Sequence, residues 1–217
     1  MIFLSKKTRI VVSSVLLLMT ILVLSRCDYS AKVITSAEPP DTVFNSFIAA
    51  MKEKNFSKAD TYLANGATIN PQNETGYSFF DDYVDTVLDL LECESVGEPE
   101  YDGTTASLKV NLISIDSNDF LSWSTQNLAR LEHDYMVKKN LKEFDNSDRK
   151  AVDKVMSMAL KEYVKKDVKV SREVDVNFIF TDKSWKINGN EDLIKAIYGG
   201  NDNEGKDKSD KTESVGD

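Results

Sequence analysis

The stretch VKVSREVDVNFIFTDKSWKI, residues 168–187, decides how the chain is read. Val168, Val170, Val174, Val176, Phe178 and Phe180 fall at every second position, with Lys169, Ser171, Glu173, Asp175 and Asn177 between them. Successive side chains of a strand point to opposite faces, so this alternation predicts a long strand with one buried and one solvated face. Arg172 is the one polar residue on the apolar side. Asp182-Lys183 supplies a tight turn, and Trp185 and Ile187 continue on a short paired strand. A sheet with one wet face is antiparallel, because parallel sheets are covered on both sides.

The same period of two appears upstream. Leu108, Val110 and Leu112 alternate with Ser107, Lys109 and Asn111. Leu112 and Ile113 are adjacent, which shifts the phase and predicts a bulge or twist. A weaker strand is expected over 92–100, before the turn at Asp102-Gly103.

Outside the strands the spacing is helical. Asp41 is the expected N-cap of a first helix through about Lys54, with Val43, Phe44, Phe47, Ile48 and Met51 on one face. Ser57 opens a short second helix that turns Ala59, Tyr62 and Leu63 inward, and Asn65-Gly66 closes it. Ser78 caps a third helix with a wide stripe of Phe79, Phe80, Tyr83, Val84, Val87, Leu88 and Leu91. A helical pair comes next, over about 118–166. Its first member has Leu121, Leu128, Leu131 and Tyr135 as the apolar face; its second has Val152, Val155, Met156, Ala159, Tyr163 and Val164. Residues 190–198 give a closing helix with Leu193, Ile194 and Ile197 inward. Helices segregated from antiparallel strands make the fold class α+β.

The ends differ from this middle. Lys6, Lys7 and Arg9 precede an apolar run from Ile10 to Leu24. That order keeps the N-terminus in the cytoplasm and sends the downstream chain across the membrane. Residues 1–27 are therefore a signal peptide or a membrane anchor. Residues 28–40, ending in Pro39-Pro40, are a tether. The folded domain is expected over 41–200, and the polar tail 201–217 holds too few apolar residues to bury a core.

Leu24-Ser25-Arg26-Cys27 resembles the lipobox of bacterial lipoproteins, with Arg26 where a small residue is usual. The resemblance implies lipidation of Cys27. A run this short is brief for a permanent span, yet Arg26 suits an uncleaved anchor, and both readings stand. The middle of the chain resembles uncharacterised bacterial lipoproteins with a nuclear transport factor 2-like cone. The matching features are DTVFNSFIAAMKEKNFSKADTYL at 41–63, the strand, turn and W-K-I of 168–187, and NEDLIKAIYGG at 190–200. This implies N-terminal helices packed on a curved antiparallel sheet, with the helical pair inserted between strands.

Composition narrows function. Hydrophobic residues make up 41% and charged residues 29%, a globular balance. The net charge of −9 repels phosphate backbones, so nucleic acid is not an expected partner. With His133 the only histidine, and Cys27 and Cys93 the only cysteines, no zinc site or other cofactor is expected. Asp81, Asp85 and Asp89 form an acidic stripe that reads as a solvated face. His133 flanks acids on the polar side of its helix, and adjacent helical residues point apart. Cys93 lacks an adjacent base and reads as a small hydrophobe. No catalytic residue is assigned. Tyr62, Tyr83, Arg172 and Trp185 are candidate pocket-lining residues, since cone folds also house lyases and isomerases of small apolar molecules. The leading expectation is a non-enzymatic binding or scaffold domain on the outer face of the cytoplasmic membrane. Its partner is the membrane through its N-terminus, with a homodimer or another protein as a further candidate.

Overall fold

A computed structural model describes residues 36–69, 76–166, 169–188 and 191–200. Residues 1–35, which hold the expected export segment with Cys27 and most of the expected tether, lie outside the described residues, as do Val168, Asn190 and residues 201–217. The architecture is α+β: helices cover one face of a strongly curled antiparallel half-barrel.

Helix α1 runs Pro40–Lys52. Its N-cap is Pro39, which makes no side-chain cap, and Asp41 sits in the first turn instead. A proline at the first helical position fits because that N–H has no partner within the helix. The expected face holds: Val43, Phe44, Phe47, Ile48 and Met51 are buried. Helix α2, Phe56–Asp60, is capped by the Asn55 side chain accepting from the Lys58 N–H, so Ser57 does not open it. Helix α3, Ser78–Leu90, starts after Tyr77, and Ser78 is its first residue rather than its cap.

Strand β3, Thr105–Ile115, is the axis of the sheet. On one side it pairs with β4, Lys169–Thr181, without interruption from Thr105↔Ile179 to Ile115↔Lys169. The expected bulge at Leu112-Ile113 is therefore absent. Leu112 faces the helices and Ile113 faces outward, half-buried. The irregularity lies on the neighbouring edge. There, β1, Glu92–Ser95, and β2, Glu100–Asp102, pair with β3 in succession, so the single strand expected over 92–100 is broken. Gly97 between them has φ 88°, a left-handed conformation that glycine reaches freely. The break suits an edge, where an unbroken strand would invite foreign pairing.

Strand β5, Ser184–Ile187, pairs with β4 across the Asp182-Lys183 turn. Its outer edge is covered too. The Ile187 N–H donates to Tyr62 O at 2.8 Å, and the Ala64 N–H donates to Ile187 O at 2.7 Å.

Between β3 and β4 the chain makes the helical hairpin: α4, Ser117–Lys139, and α5, Arg149–Tyr163, with a 3-10 turn at Val164–Lys166. Asp116 and Asp148 cap the two helices through their carboxylates. The inward face of α4 differs from the expected one. Phe120, Ser124 and Leu131 are buried, while Leu121 is 59% and Leu128 38% exposed. Leu121 and Leu128 lie one residue round the helix from the Phe120–Ser124–Leu131 line, which is enough to turn them from α5 to water. Helix α6, Glu191–Ile197, buries Leu193, Ala196 and Ile197 against the sheet.

Two cores result. The sheet core joins α1, α3 and α6 to the covered faces of β3, β4 and β5, with Phe44, Phe47, Met51, Leu108, Leu112, Phe178 and Trp185 buried there. The helical core joins α3, α4 and α5 around Val87, Ile115, Phe120, Leu131, Val155, Ala159, Leu160 and Tyr163.

Candidate functional site

The two cores meet at a set of buried polar groups. Arg172 stands on the covered face of β4 and cannot reach water along it. Its Nη2 instead donates to Asp116 Oδ2 at 2.8 Å, and its Nη1 to Ser114 Oγ at 3.2 Å. Both charged side chains are largely buried, at 12% and 7% exposed. The other carboxylate oxygen of Asp116 accepts from the Asn118 and Asp119 N–H groups at the start of α4. One carboxylate thus ties the sheet to the helical hairpin.

The end of α6 closes the same junction. A helix leaves its last carbonyls unpaired, and here side chains from other elements satisfy them. Ser114 Oγ donates to Ala196 O at 3.1 Å, Tyr83 Oη to Tyr198 O at 3.0 Å, and Ser117 Oγ to Gly199 O at 2.8 Å. Gly199 has φ 80°, and a Cβ there would stand 2.3 Å from Ile115 O. Burial pushes the Tyr83 phenol up to about 12, while a hydrogen bond with Ser117 pulls it the other way.

Of the four residues expected to line a pocket, the structure brings Tyr83 and Arg172 together at this junction. Tyr62 and Trp185 lie elsewhere. Trp185 is a buried core residue, its ring 5.3 Å from Phe180 and 5.7 Å from Tyr101. Tyr62 is partly buried against the sheet core, and its backbone covers the edge of β5. Sequence reading missed Asp116, Ser114 and Gly199. Ser114 carried a signal, since it continues the inward parity of Leu108, Val110 and Leu112. Asp116 carried one as well, because Asp is a favoured cap directly before a helical run.

The arrangement fixes a geometry, and its carboxylate and guanidinium face each other. The volume between α1 and the sheet is filled by Phe44, Phe47, Met51, Leu108 and Val110, none of them exposed. Among the described residues, the open face carries concave surface. Two adjoining hollows of ≈ 440 and ≈ 480 Å³ share Glu100, Ser107 and Asn177, and are rimmed by Tyr101, Glu98, Lys109 and Asp175 among others.

The remaining sequence candidates are dispersed. His133 is exposed on α4. Asp85 and Asp89 pair with Lys54 at 3.1 and 3.4 Å, and no group of three metal-ligating side chains occurs among the described residues. The Cys93 thiol is half-buried, and burial with the nearby Glu94 pushes it up to about 11, which disfavours the thiolate. No helix among the described residues is long and apolar enough to cross a membrane. In comparisons with known proteins, no family model, no curated protein and no solved structure matches the chain.

Proposed function

We propose that residues 41–200 form a nuclear transport factor 2-like cone with a non-enzymatic binding or scaffold role. The domain is displayed on the outer face of a cytoplasmic membrane by the N-terminal segment. The observation that supports the binding role is the filled interior. A cone-fold lyase or isomerase needs an ionisable group facing a cavity that admits its substrate. Here aliphatic and aromatic side chains occupy the space between α1 and the sheet, and Asp116 is paired with Arg172. The polar hollows on the open face are where the sheet offers contact to a partner.

A panel of small apolar compounds tests the interior directly. The binding role predicts that none raises the melting temperature or perturbs methyl signals of Val110 and Val176. A compound that does both would restore the lyase or isomerase reading.

Anchoring rests on residues 6–27, with Cys27 as the lipid acceptor. Two acyl chains make a stable anchor, since each buried methylene contributes about 0.8 kcal/mol. Cys27→Ser should leave a heavier precursor, and Arg26→Gly should increase processing. Intact mass of membrane-extracted protein checks both. A wild-type mass equal to the 24.4 kDa chain, altered in Cys27→Ser only by the exchange of sulfur for oxygen, would sink lipidation and leave the uncleaved anchor.

A further inference from the structure

We infer that the tip of the helical hairpin, residues 136–142, docks on an anionic lipid surface. The sequence there is MVKKNLK. Helix α4 ends at Asn140, whose φ of 55° is the left-handed conformation that Asn tolerates better than most side chains. The Leu141 N–H then returns to Met136 O at 2.9 Å and the Asn140 N–H to Val137 O at 3.2 Å, a pairing that fixes the chain just past the helix. The fixed tip presents apolar groups to water: Val137 is 66% and Leu141 47% exposed. Lys138, Lys139 and Lys142 surround them, all exposed, and none forms an ion pair with a described residue.

The nearby acids are engaged differently. Asp145 accepts the Ser147 N–H and hydroxyl, and Asp148 caps α5 through the Lys150 and Ala151 N–H groups. Asp134 pairs with Arg130 at 3.2 Å. Glu143 is exposed beside the lysines, and Asp134, Asp145 and Asp148 are exposed as well, held back from the tip by the partners just named. Apolar side chains ringed by lysines match an anionic bilayer interface, where the chains enter the headgroup boundary and the ammonium groups meet phosphates.

Charge over the molecule agrees with that orientation. The described part of residues 36–116 holds four cations, Lys52, Lys54, Lys58 and Lys109, against fourteen carboxylates. Residues 117–166 hold ten cations and eight carboxylates. A helix of 23 residues is roughly 34 Å long, several Debye lengths at physiological salt, so the tip is screened from most of the acidic surface around the sheet. The docking role rests on the membrane-tethered reading for its setting. A tether of 12 residues between Cys27 and Pro40 reaches up to about 40 Å, enough for the tip to meet the bilayer.

The competing explanation is local: Lys138 and Lys139 complement the negative end of the α4 dipole. It gives Val137 and Leu141 no role and predicts no response to lipid.

The test uses the full chain with an environment-sensitive fluorescent amino acid at position 137, and separately at position 177 on the open sheet face. Vesicles of phosphatidylcholine, with and without phosphatidylglycerol, carry a lipid-borne quencher. Docking predicts a blue shift and quenching at 137 only with phosphatidylglycerol, and no change at 177. Each lysine neutralised in Lys138→Gln, Lys139→Gln and Lys142→Gln should weaken the response roughly fivefold, since each contributes about one kcal/mol at an anionic surface. Leu141→Ser, with the fluorescent amino acid kept at 137, should diminish the blue shift, with melting curves checking that the fold survives. Equal responses at 137 and 177, a response indifferent to phosphatidylglycerol or to the lysines, or no response at 137 would overturn the proposal. The last result would leave a protein partner for the tip. Flotation of the full chain with neutral vesicles reports the anchor independently. A chain that fails to float on neutral vesicles yet shifts at 137 on anionic ones refutes the tether and retains the docking.

Discussion

The sheet core and the helical core are built from the same residue types and yet were written into the sequence in different ways. In the sheet core a side chain has two choices, in or out, and the choice repeats every residue. Val174, Val176 and Phe178 alternate with exposed Glu173, Asp175 and Asn177, and every partner on β3 obeys the same parity. In the helical core the choice is an angle. Helix α4 carries apolar residues around much of its circumference, and only packing against α3 and α5 selects Phe120 and Leu131 over Leu121 and Leu128. A two-valued signal survives noise that a continuous one does not.

The contrast between faces is largest in the sheet core. Phe178 is buried at its centre, so Phe178→Ala should cost about 3–5 kcal/mol by cavity formation. Lys169→Ala, on the open face and paired with exposed Glu92, should change stability by about 0.5 kcal/mol or less. Urea titration checks both. Similar losses would mean that the two faces of β4 are not unequal.

Gly199 tests the joint between the cores. Gly199→Ala forces a Cβ against Ile115 O in a left-handed backbone, and should cost about 2–4 kcal/mol through strain and overpacking. If the junction couples the cores, amide exchange should quicken in α4 as well as in α6. Loosening confined to α6 would show that Arg172 and Asp116 hold the hairpin without it.

Within the helical core, Leu131→Ala should cost about 2–3 kcal/mol and Leu128→Ala about 0.5 kcal/mol or less. Thermal melts of the two variants settle which α4 face is inward; the reverse ranking would restore Leu128 to the core.

These outcomes track how far the sequence was legible. Apart from the split of 92–100 into β1 and β2, the elements and the strand parity were readable from period alone, and so were the buried faces of α1 and α3. Helix starts were less so. Asp41, Ser57 and Ser78 are all good caps by type, but Pro39, Asn55 and Tyr77 precede the helices, because a cap is chosen by the backbone entering the helix as much as by its own side chain. The polar junction was half legible. Arg172 stood out as the lone polar residue on an apolar face, yet its partner Asp116 is far away in sequence and reaches it only once β3 and β4 have paired. The phase change at Leu112-Ile113 allowed a bulge or a twist, and only the bulge is missing from the curled sheet. It reports a second partner for the far end of β3, where Ile115 joins the helical core, and not a fault in the strand.

The finest test compares the turns of the two hairpins. In the β4–β5 hairpin, Asp182 and Lys183 have φ of 51° and 64°, both left-handed. Two-residue hairpins favour this geometry because its twist matches that of the strands, but it suits glycine at the second position. Lys183 keeps its Cβ in a conformation that costs an L-residue about 1–2 kcal/mol. The helical hairpin meets the same demand at Asn140, a residue that tolerates it. Glycine relieves the strain at Lys183 but also gives the unfolded chain more freedom, so the two effects oppose. Lys183→Gly should therefore stabilise by only about 0.5–1 kcal/mol, Asn140→Gly by less, and Lys183→Ala not at all, since it retains the Cβ. Melting temperatures of the three variants give the ranking. A lower melting temperature for Lys183→Gly would mean that the lysine side chain, and not the backbone, holds the turn.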